Sequence, residues 1–354
     1  MTAPVIPPPP PSLRLTIDSR ALAANWRALD RLSGGAEAGA AVKADAYGTG
    51  IDVAVPALRD AGARSFFVAH WSEVPALARH VDPAAIAVLH GPISAAEAAY
   101  ARSVGVRPVI NSLDQARLWL EAGGGPCHLM VDTGINRLGL PPAQLSEQAV
   151  AALEIDLLLS HLASADEDVP LNARQRALFA AIAGTVTARR RSLANSAGIA
   201  LGADYAFDVT RPGLALYGGV PRAELAPHIR QVVRLQAQVI QLRDLCAGDT
   251  VGYNATFTAP AAMRAATVAL GYADGFLRSW SGRGVLHCGA AELLLIGRVS
   301  MDMVVVDAGA APDLRVGEWL DVPYDLPEAS ARSGLSQYEL LTVLGLRFER
   351  CATT

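Results

Sequence analysis

The sequence contains no apolar run near the ~20 residues that cross a bilayer, so no membrane span is expected. It is poor in cysteine. Cys127, Cys246, Cys288 and Cys351 lie far apart, with no CxxC pair and no metal-ligand spacing, so neither a zinc site nor a disulfide framework is expected. Incidental thiols of a reducing compartment fit this pattern. Only one basic run stands out, Arg189-Arg190-Arg191, and the net charge is −4. A nucleic-acid partner is therefore not expected, and the three arginines are read as the solvated end of a helix. The first residues carry no charged stretch followed by an apolar one, so a secretory signal is not expected either. Residues 1–12, with Pro7 to Pro11 in a row, read as a disordered, exposed tail. A cytoplasmic protein is the expectation.

Against these absences, 51% of the 354 residues are apolar and 18% charged, enough for a sizeable core and, at this length, for two domains. Short apolar segments at residues 38–42, 65–69, 85–90, 107–110, 128–132, 156–161, 192–195 and 207–210 read as strands. Longer amphipathic stretches separate them. Two of these stretches open with capping boxes, Ser94-Ala95-Ala96-Glu97 and Ser112-Leu113-Asp114-Gln115. About eight strand–helix units suggest a (β/α)8 barrel over residues 13–225; a doubly wound open sheet stays possible, because periodicity does not reveal closure. From residue 226 to 354 the texture becomes β-branched and alternating, as in residues 232–240, with turn signals between, which predicts a mostly antiparallel β domain.

Lys43 follows the small apolar run Gly39-Ala40-Ala41-Val42. A charge at the end of a buried strand is costly unless it is paired or chemically used. Desolvation favours the neutral amine, which can form a Schiff base with an aldehyde or take a proton from carbon. A lysine that snorkels to the surface or pairs with Asp45 is the alternative. In a barrel, chemistry gathers at the C-terminal strand ends. The residues there include Lys43 and Tyr47, then Asp132 to Arg137, then His161, Asn195-Ser196 and Arg211-Pro212-Gly213. Each admits a bland reading: Arg137 as a loop cap, His161 as a hydrogen-bonded core histidine, Ser196 as a helix N-cap.

The segment Val42-Lys43-Ala44-Asp45-Ala46-Tyr47-Gly48 resembles the pyridoxal-phosphate signature of the alanine racemases, a fold-type III family. Val131-Asp132-Thr133-Gly134-Ile135-Asn136-Arg137-Leu138-Gly139, His161-Leu162-Ala163-Ser164-Ala165-Asp166-Glu167, Asn195-Ser196-Ala197 and Arg211-Pro212-Gly213 resemble further motifs of that family in order. So do Gly271-Tyr272-Ala273-Asp274-Gly275, Gly297-Arg298-Val299-Ser300-Met301-Asp302 and Tyr338-Glu339-Leu340-Leu341.

The resemblance implies an enzyme that interconverts L- and D-alanine, a source of D-alanine, with pyridoxal phosphate held on Lys43. Two bases would act on opposite faces: Lys43 for the D-antipode and Tyr272, from the partner subunit of a homodimer, for the L-antipode. The phosphate would be held by Tyr47, Ser196, Gly213, Leu214 and Tyr338, and Asn195 would also bind the cofactor. Arg211 would face the pyridine nitrogen, oriented by His161, and Arg137 would bind the phenolic oxygen and the substrate carboxylate. Met301, Asp166, Arg298 and Asp302 would line the substrate path, with Asp302 steadying Tyr272. A phenol ordinarily ionises near pH ~10, so Tyr272 would need a cationic setting. Where family members carry a carbamylated lysine, this chain has Met130; chloride beside Arg137 could supply the missing charge, or Arg137 could rely on Asn136 and neighbouring groups. The alternatives are a racemase of other or broader specificity, a fold-type III decarboxylase, which would need acidic residues for a distal cation, and a non-enzymatic carrier, which would leave the second domain unexplained.

Overall fold

A computed structural model describes residues 8–353. Residues 1–7 of the expected disordered tail lie outside the described residues; residues 8–11 are exposed and irregular. The chain divides into two compact units, Ser19–Gln231 and a second in which Val232 onward joins the strand Leu13–Asp18.

In the Ser19–Gln231 unit seven parallel strands run in the order Ala40–Ala41, Phe66–Val68, Ile86–Val88, Arg107–Ile110, Pro126–Met130, Glu154–Leu159 and Arg190–Ser192. Closure runs through Glu37–Ala38, which continues the first strand across Gly39 and pairs in parallel with Val209–Thr210. The Gly39 and Ala41 N–H groups add bonds to the Thr210 and Pro212 carbonyls, while Asp208 and Arg211 donate back to Arg191 and Ala194. The ring is thereby an eight-stranded (β/α)8 barrel, and the open sheet drops out. Barrel strands are covered on both faces, so Phe66–Val68 and Ile86–Val88 are buried throughout.

The helix Ser19–Leu32 presents Leu22, Trp26 and Leu29 on one buried stripe, each contributing about 1.5–3 kcal/mol by leaving water. Ser94 and Ser112 do cap their helices, accepting from the Glu97 and Gln115 N–H groups. The reciprocal bonds, however, reach one residue further back, Glu97 to the Ile93 N–H and Gln115 to the Asn111 N–H.

The reading of Arg189 to Arg191 as a helix end is overturned. The preceding helix stops at Ala183, and Arg190 and Arg191 open a strand. Arg190 pairs with Glu37 and Asp156 at 3.0 Å each, and Arg189 with Glu154 at 3.2 Å. The arginines tie strand beginnings together because acids stand at the same end of neighbouring strands.

The second unit is an antiparallel sheet built on the long strand Val233–Leu245. Its first half alternates Val233, Leu235, Ala237 and Val239 inward, the period of a half-buried strand. It pairs there with Leu13–Asp18 and Trp319–Val322, and further along with Met263–Val268. Val285–Cys288, Ala291–Ile296 and Val304–Asp307 extend a sheet curled upon itself, and Glu349–Thr353 adds to its other edge in parallel with Leu13–Asp18. Leu13–Asp18, expected with the barrel, buries Leu13, Leu15 and Ile17 alternately. That alternation suits a sheet with one wet face rather than a barrel strand.

Candidate active site

Lys43 is the only lysine among the chain's 30 basic side chains. It stands half-buried directly after the barrel's first strand and begins a turn of unusual backbone. Ala44, Asp45, Ala46 and Tyr47 all have φ between 52 and 55°, the left-handed region, at about 1–2 kcal/mol per L-residue. Such strain persists only where the surroundings over-determine it. The Ala46 and Gly48 N–H groups donate to the Val42 and Ala44 carbonyls, both at 2.9 Å. The Asp45 carboxylate accepts the Ile51 N–H at 2.8 Å, so it caps the next helix rather than pairing with Lys43. The Tyr47 ring stacks on Tyr217, centroids 4.8 Å apart, and the Tyr217 hydroxyl donates to the Ala41 carbonyl. Burial, then Arg137, holds the Lys43 amine below the usual lysine range; Arg211 acts the same way and Glu73 opposes.

Arg211 is a buried cation with neutral partners. It donates to Ser192 Oγ, to the Ser160 carbonyl at 2.6 Å and to His161 Nδ1 at 3.5 Å. Burial lowers its guanidinium to about 10, so it stays charged at neutral pH. Burial, then Arg211, depresses His161 to about 3, so the imidazole is neutral and can accept from Arg211. His161 is thus a neutral imidazole within reach of Arg211. Ser196 is not the N-cap of its helix; Asn195 is, accepting the Gly198 N–H at 2.8 Å. The freed Ser196 Oγ takes the N–H groups of Gly213 at 2.9 Å and Ala215 at 3.2 Å. A Cβ on Gly213 would overlap the Tyr47 hydroxyl, so only glycine lets Tyr47 close on this backbone. Leu214 packs buried beside it.

Arg137 stands exposed on a loop shaped by Asp132, whose carboxylate accepts the Gly134 and Ile135 N–H groups. Met130 is buried. Among the described residues Arg137 makes no hydrogen bond or ion pair, yet its charge depresses Lys43 and His161. Lys43, Arg137 and Arg211 thus face one rim, and no carboxylate is ion-paired to any of them among the described residues. Asp166 is exposed on the loop after Glu154–Leu159, making no hydrogen bond or ion pair among the described residues.

In the second unit, Tyr272 opens a short turn laid against the loop 300–303. Its N–H donates to the Ser300 carbonyl and that of Ala273 to the Met301 carbonyl, each at 3.0 Å. A Cβ on Gly271 would strike the Met301 carbonyl. The Arg278 guanidinium carbon lies 5.2 Å from the centre of the Tyr272 ring. Asp274, 1% exposed, accepts the Gly271 N–H at 2.9 Å and a bidentate pair from Arg347 at 2.6 and 2.8 Å. A third Arg347 nitrogen reaches Asp302 at 2.6 Å. Tyr272, Met301 and Asp302 are therefore assembled; Arg298 and Tyr338 are exposed.

Sequence reasoning missed Arg347, Glu73 and the solitude of Lys43; a residue count would have revealed the last. Cys127 is buried, its thiol pushed up to about 12 by burial, and no cysteine is paired among the described residues. No cluster of potential metal ligands occurs among the described residues, and no helix there is long and apolar enough to cross a membrane.

The site is thus a parallel barrel with its single lysine, a buried arginine and a serine hydroxyl holding two backbone N–H groups at the C-terminal strand ends. Comparison with known proteins makes the class specific. The family model "Alanine racemase, N-terminal domain" matches residues 17–221 and "Alanine racemase, C-terminal domain" matches 232–352. An alanine racemase of Methylobacterium nodulans is 45% identical, with 95% of each chain covered. The biosynthetic alanine racemase of Agrobacterium fabrum is 40% identical over 96% of this chain and 93% of its own. The crystal structure of alanine racemase from Bartonella henselae with covalently bound pyridoxal phosphate superposes with a TM-score of 0.89 at 35% identity, covering 98% of this chain and all of that one. The biosynthetic enzyme of Pseudomonas aeruginosa gives 0.88 at 34%, over 98% of this chain and all of its own. The chain belongs to the alanine racemase family.

Proposed function

We propose that this protein interconverts L- and D-alanine with pyridoxal phosphate bound at the barrel rim, as a homodimer whose sites draw Tyr272 from the partner subunit. The observation that carries the reading is the convergence of Lys43, Arg137 and Arg211 on one rim with no ion-paired carboxylate, beside the Ser196, Gly213 and Ala215 cluster. A compact dianion with an electron-poor ring fits these donors. Tyr47, Asn195, Ser196, Gly213, Leu214 and Tyr338 would hold the phosphate, and Lys43 the aldehyde carbon. When bound, the coenzyme supplies an extended π-system that acidifies the α-carbon of an amino acid.

The chain's own groups do the rest. Arg137 binds the substrate carboxylate, with chloride beside Met130 as its counter-charge. Arg211 keeps its proton, because a guanidinium lowered to about 10 is still charged at pH 7. It would therefore donate to the coenzyme's ring nitrogen without protonating it, which would restrain side reactions. Neutral His161 keeps Arg211 aimed. Lys43, made less basic by burial and by Arg137, takes or returns the proton on one face, and Tyr272 serves the other. Arg278 beside the phenol ring supplies a cation there, and Asp302 steadies the tyrosine turn through Arg347. Asp166, Arg298 and Met301 belong to the substrate path. D-Alanine supply in the cytoplasm is the role that fits this activity.

Mixing a Lys43→Ala chain with a Tyr272→Phe chain tests both halves. Each alone loses about a thousandfold or more of its racemisation rate. The mixture regains up to about a quarter of wild-type activity, because one site of each mixed dimer keeps both residues. No recovery in a mixture shown to contain heterodimers overturns the shared site.

A further inference from the structure

We propose that Glu73 is a positioning residue for Lys43, clamping the left-handed turn that carries the lysine to the end of the neighbouring strand. The proposal rests on Lys43 being the reactive amine. Glu73 follows the strand Phe66–Val68 in a single turn, Trp71–Glu73, and is half-buried. Its carboxylate accepts three backbone N–H groups. Oε1 takes that of Ala44 at 2.5 Å, the first residue of the strained turn. Oε2 takes those of Ala69 and His70 at 2.8 and 2.9 Å.

One side chain thus joins the ends of two adjacent barrel strands on either side of Lys43. Four consecutive non-glycine residues at positive φ need such external restraint. Only an ionised carboxylate accepts on both sides: in glutamine the NH2 group would face an N–H donor. The charge has a second consequence. The groups that act electrostatically with the Lys43 amine are Arg137, Arg211, His161, His90 and Glu73, and Glu73 alone of these favours the ammonium form. Glu73 therefore fixes where the amine stands and limits how far its basicity falls.

Because Lys43 is the only lysine, its ionisation can be read without activity. The coenzyme-free protein is acetylated with trace acetic anhydride across pH, and the Lys43 peptide is quantified by mass. In Glu73→Gln the half-ionisation point of Lys43 falls by about half a pH unit or more. In Glu73→Ala the amides of residues 44–48 exchange with deuterium at least about tenfold faster. In the loaded enzyme, kcat for alanine falls at least about tenfold while KM stays within about threefold, and Glu73→Asp recovers part of it. A labelling profile of Glu73→Gln that superimposes on wild type, or unchanged exchange in Glu73→Ala, overturns the proposal. Both readouts hold whether or not the wild type racemises alanine, so this failure is distinct from failure of the racemase reading.

Discussion

Lys43 stands half-buried on the barrel rim among guanidinium groups, while Tyr272 sits on a turn held from beneath by a buried aspartate and a half-exposed arginine. Both turns are irregular backbone secured by a carboxylate, but the restraint differs in kind. Glu73 binds the lysine turn through the Ala44 N–H, is anchored by the Ala69 and His70 N–H groups at the neighbouring strand end, and needs no cation. Asp274 binds the tyrosine turn through one N–H and depends on Arg347 for the rest. A carboxylate satisfied by backbone donors is replaceable only by another acceptor. One satisfied by a guanidinium is left bare when that side chain goes.

The sharpest way to break the comparison is Arg347→Ala. Asp274 would be left buried with a single donor, and Asp302 would lose its link to the turn. Because Arg347 is itself half exposed, the expected stability loss is about 1–3 kcal/mol. The kcat should fall at least about tenfold with little change in KM. Arg347→Lys, which cannot make the bidentate pair, should recover only part. Full activity in Arg347→Ala would mean the tyrosine turn does not need its clamp.

A smaller effect is expected from Gly213→Ala, where the added methyl meets the Tyr47 hydroxyl. Titration with pyridoxal phosphate should show about tenfold weaker binding, alongside a stability loss of about 1 kcal/mol in the coenzyme-free protein because the methyl crowds a buried ring. Unaltered binding would place the phosphate elsewhere.

The smallest effect concerns acid. Burial depresses His161 to about 3 and also lowers His128, both in the barrel. Between the ordinary histidine value near ~6.5 and that depressed value the unfolded chain binds more protons. Barrel stability is therefore complete above pH ~6.5 and is lost progressively as pH falls toward ~3. Hydrogen exchange followed from pH 7 to pH 5 should show the Ser19–Gln231 unit losing protection before the second unit, with Tm lower by about a few degrees. His128→Gln should flatten the dependence. Equal loss in both units would remove this distinction.

The barrel strands were legible because double-sided burial writes continuous apolar runs, and their ends fall within a few residues of expectation. Leu13–Asp18 was misassigned because its partners, Val233–Leu245 and Glu349–Thr353, are more than two hundred residues away. No local pattern encodes that pairing. Arg189 to Arg191 misled for a similar reason: their acids, Glu37, Asp156 and Glu154, come from other strands. Lys43, His161 and Arg211 were visible as reactive types at strand ends. Glu73 and Arg347 were not, because each acts on backbone or carboxylates that only folding brings near. The choice of Asn195 over Ser196 as N-cap was equally hidden, since it turns on where the Gly213 and Ala215 N–H groups arrive.

The chain's single lysine makes amine-directed chemistry on the folded protein a one-address reaction, aside from the α-amino group. Reagents that usually decorate a surface at random, such as activated-ester dyes or aldehyde resins, would report on access to the barrel mouth. Immobilisation by such routes would engage the barrel mouth itself, and arginine-directed reagents would reach the exposed Arg137 there as well.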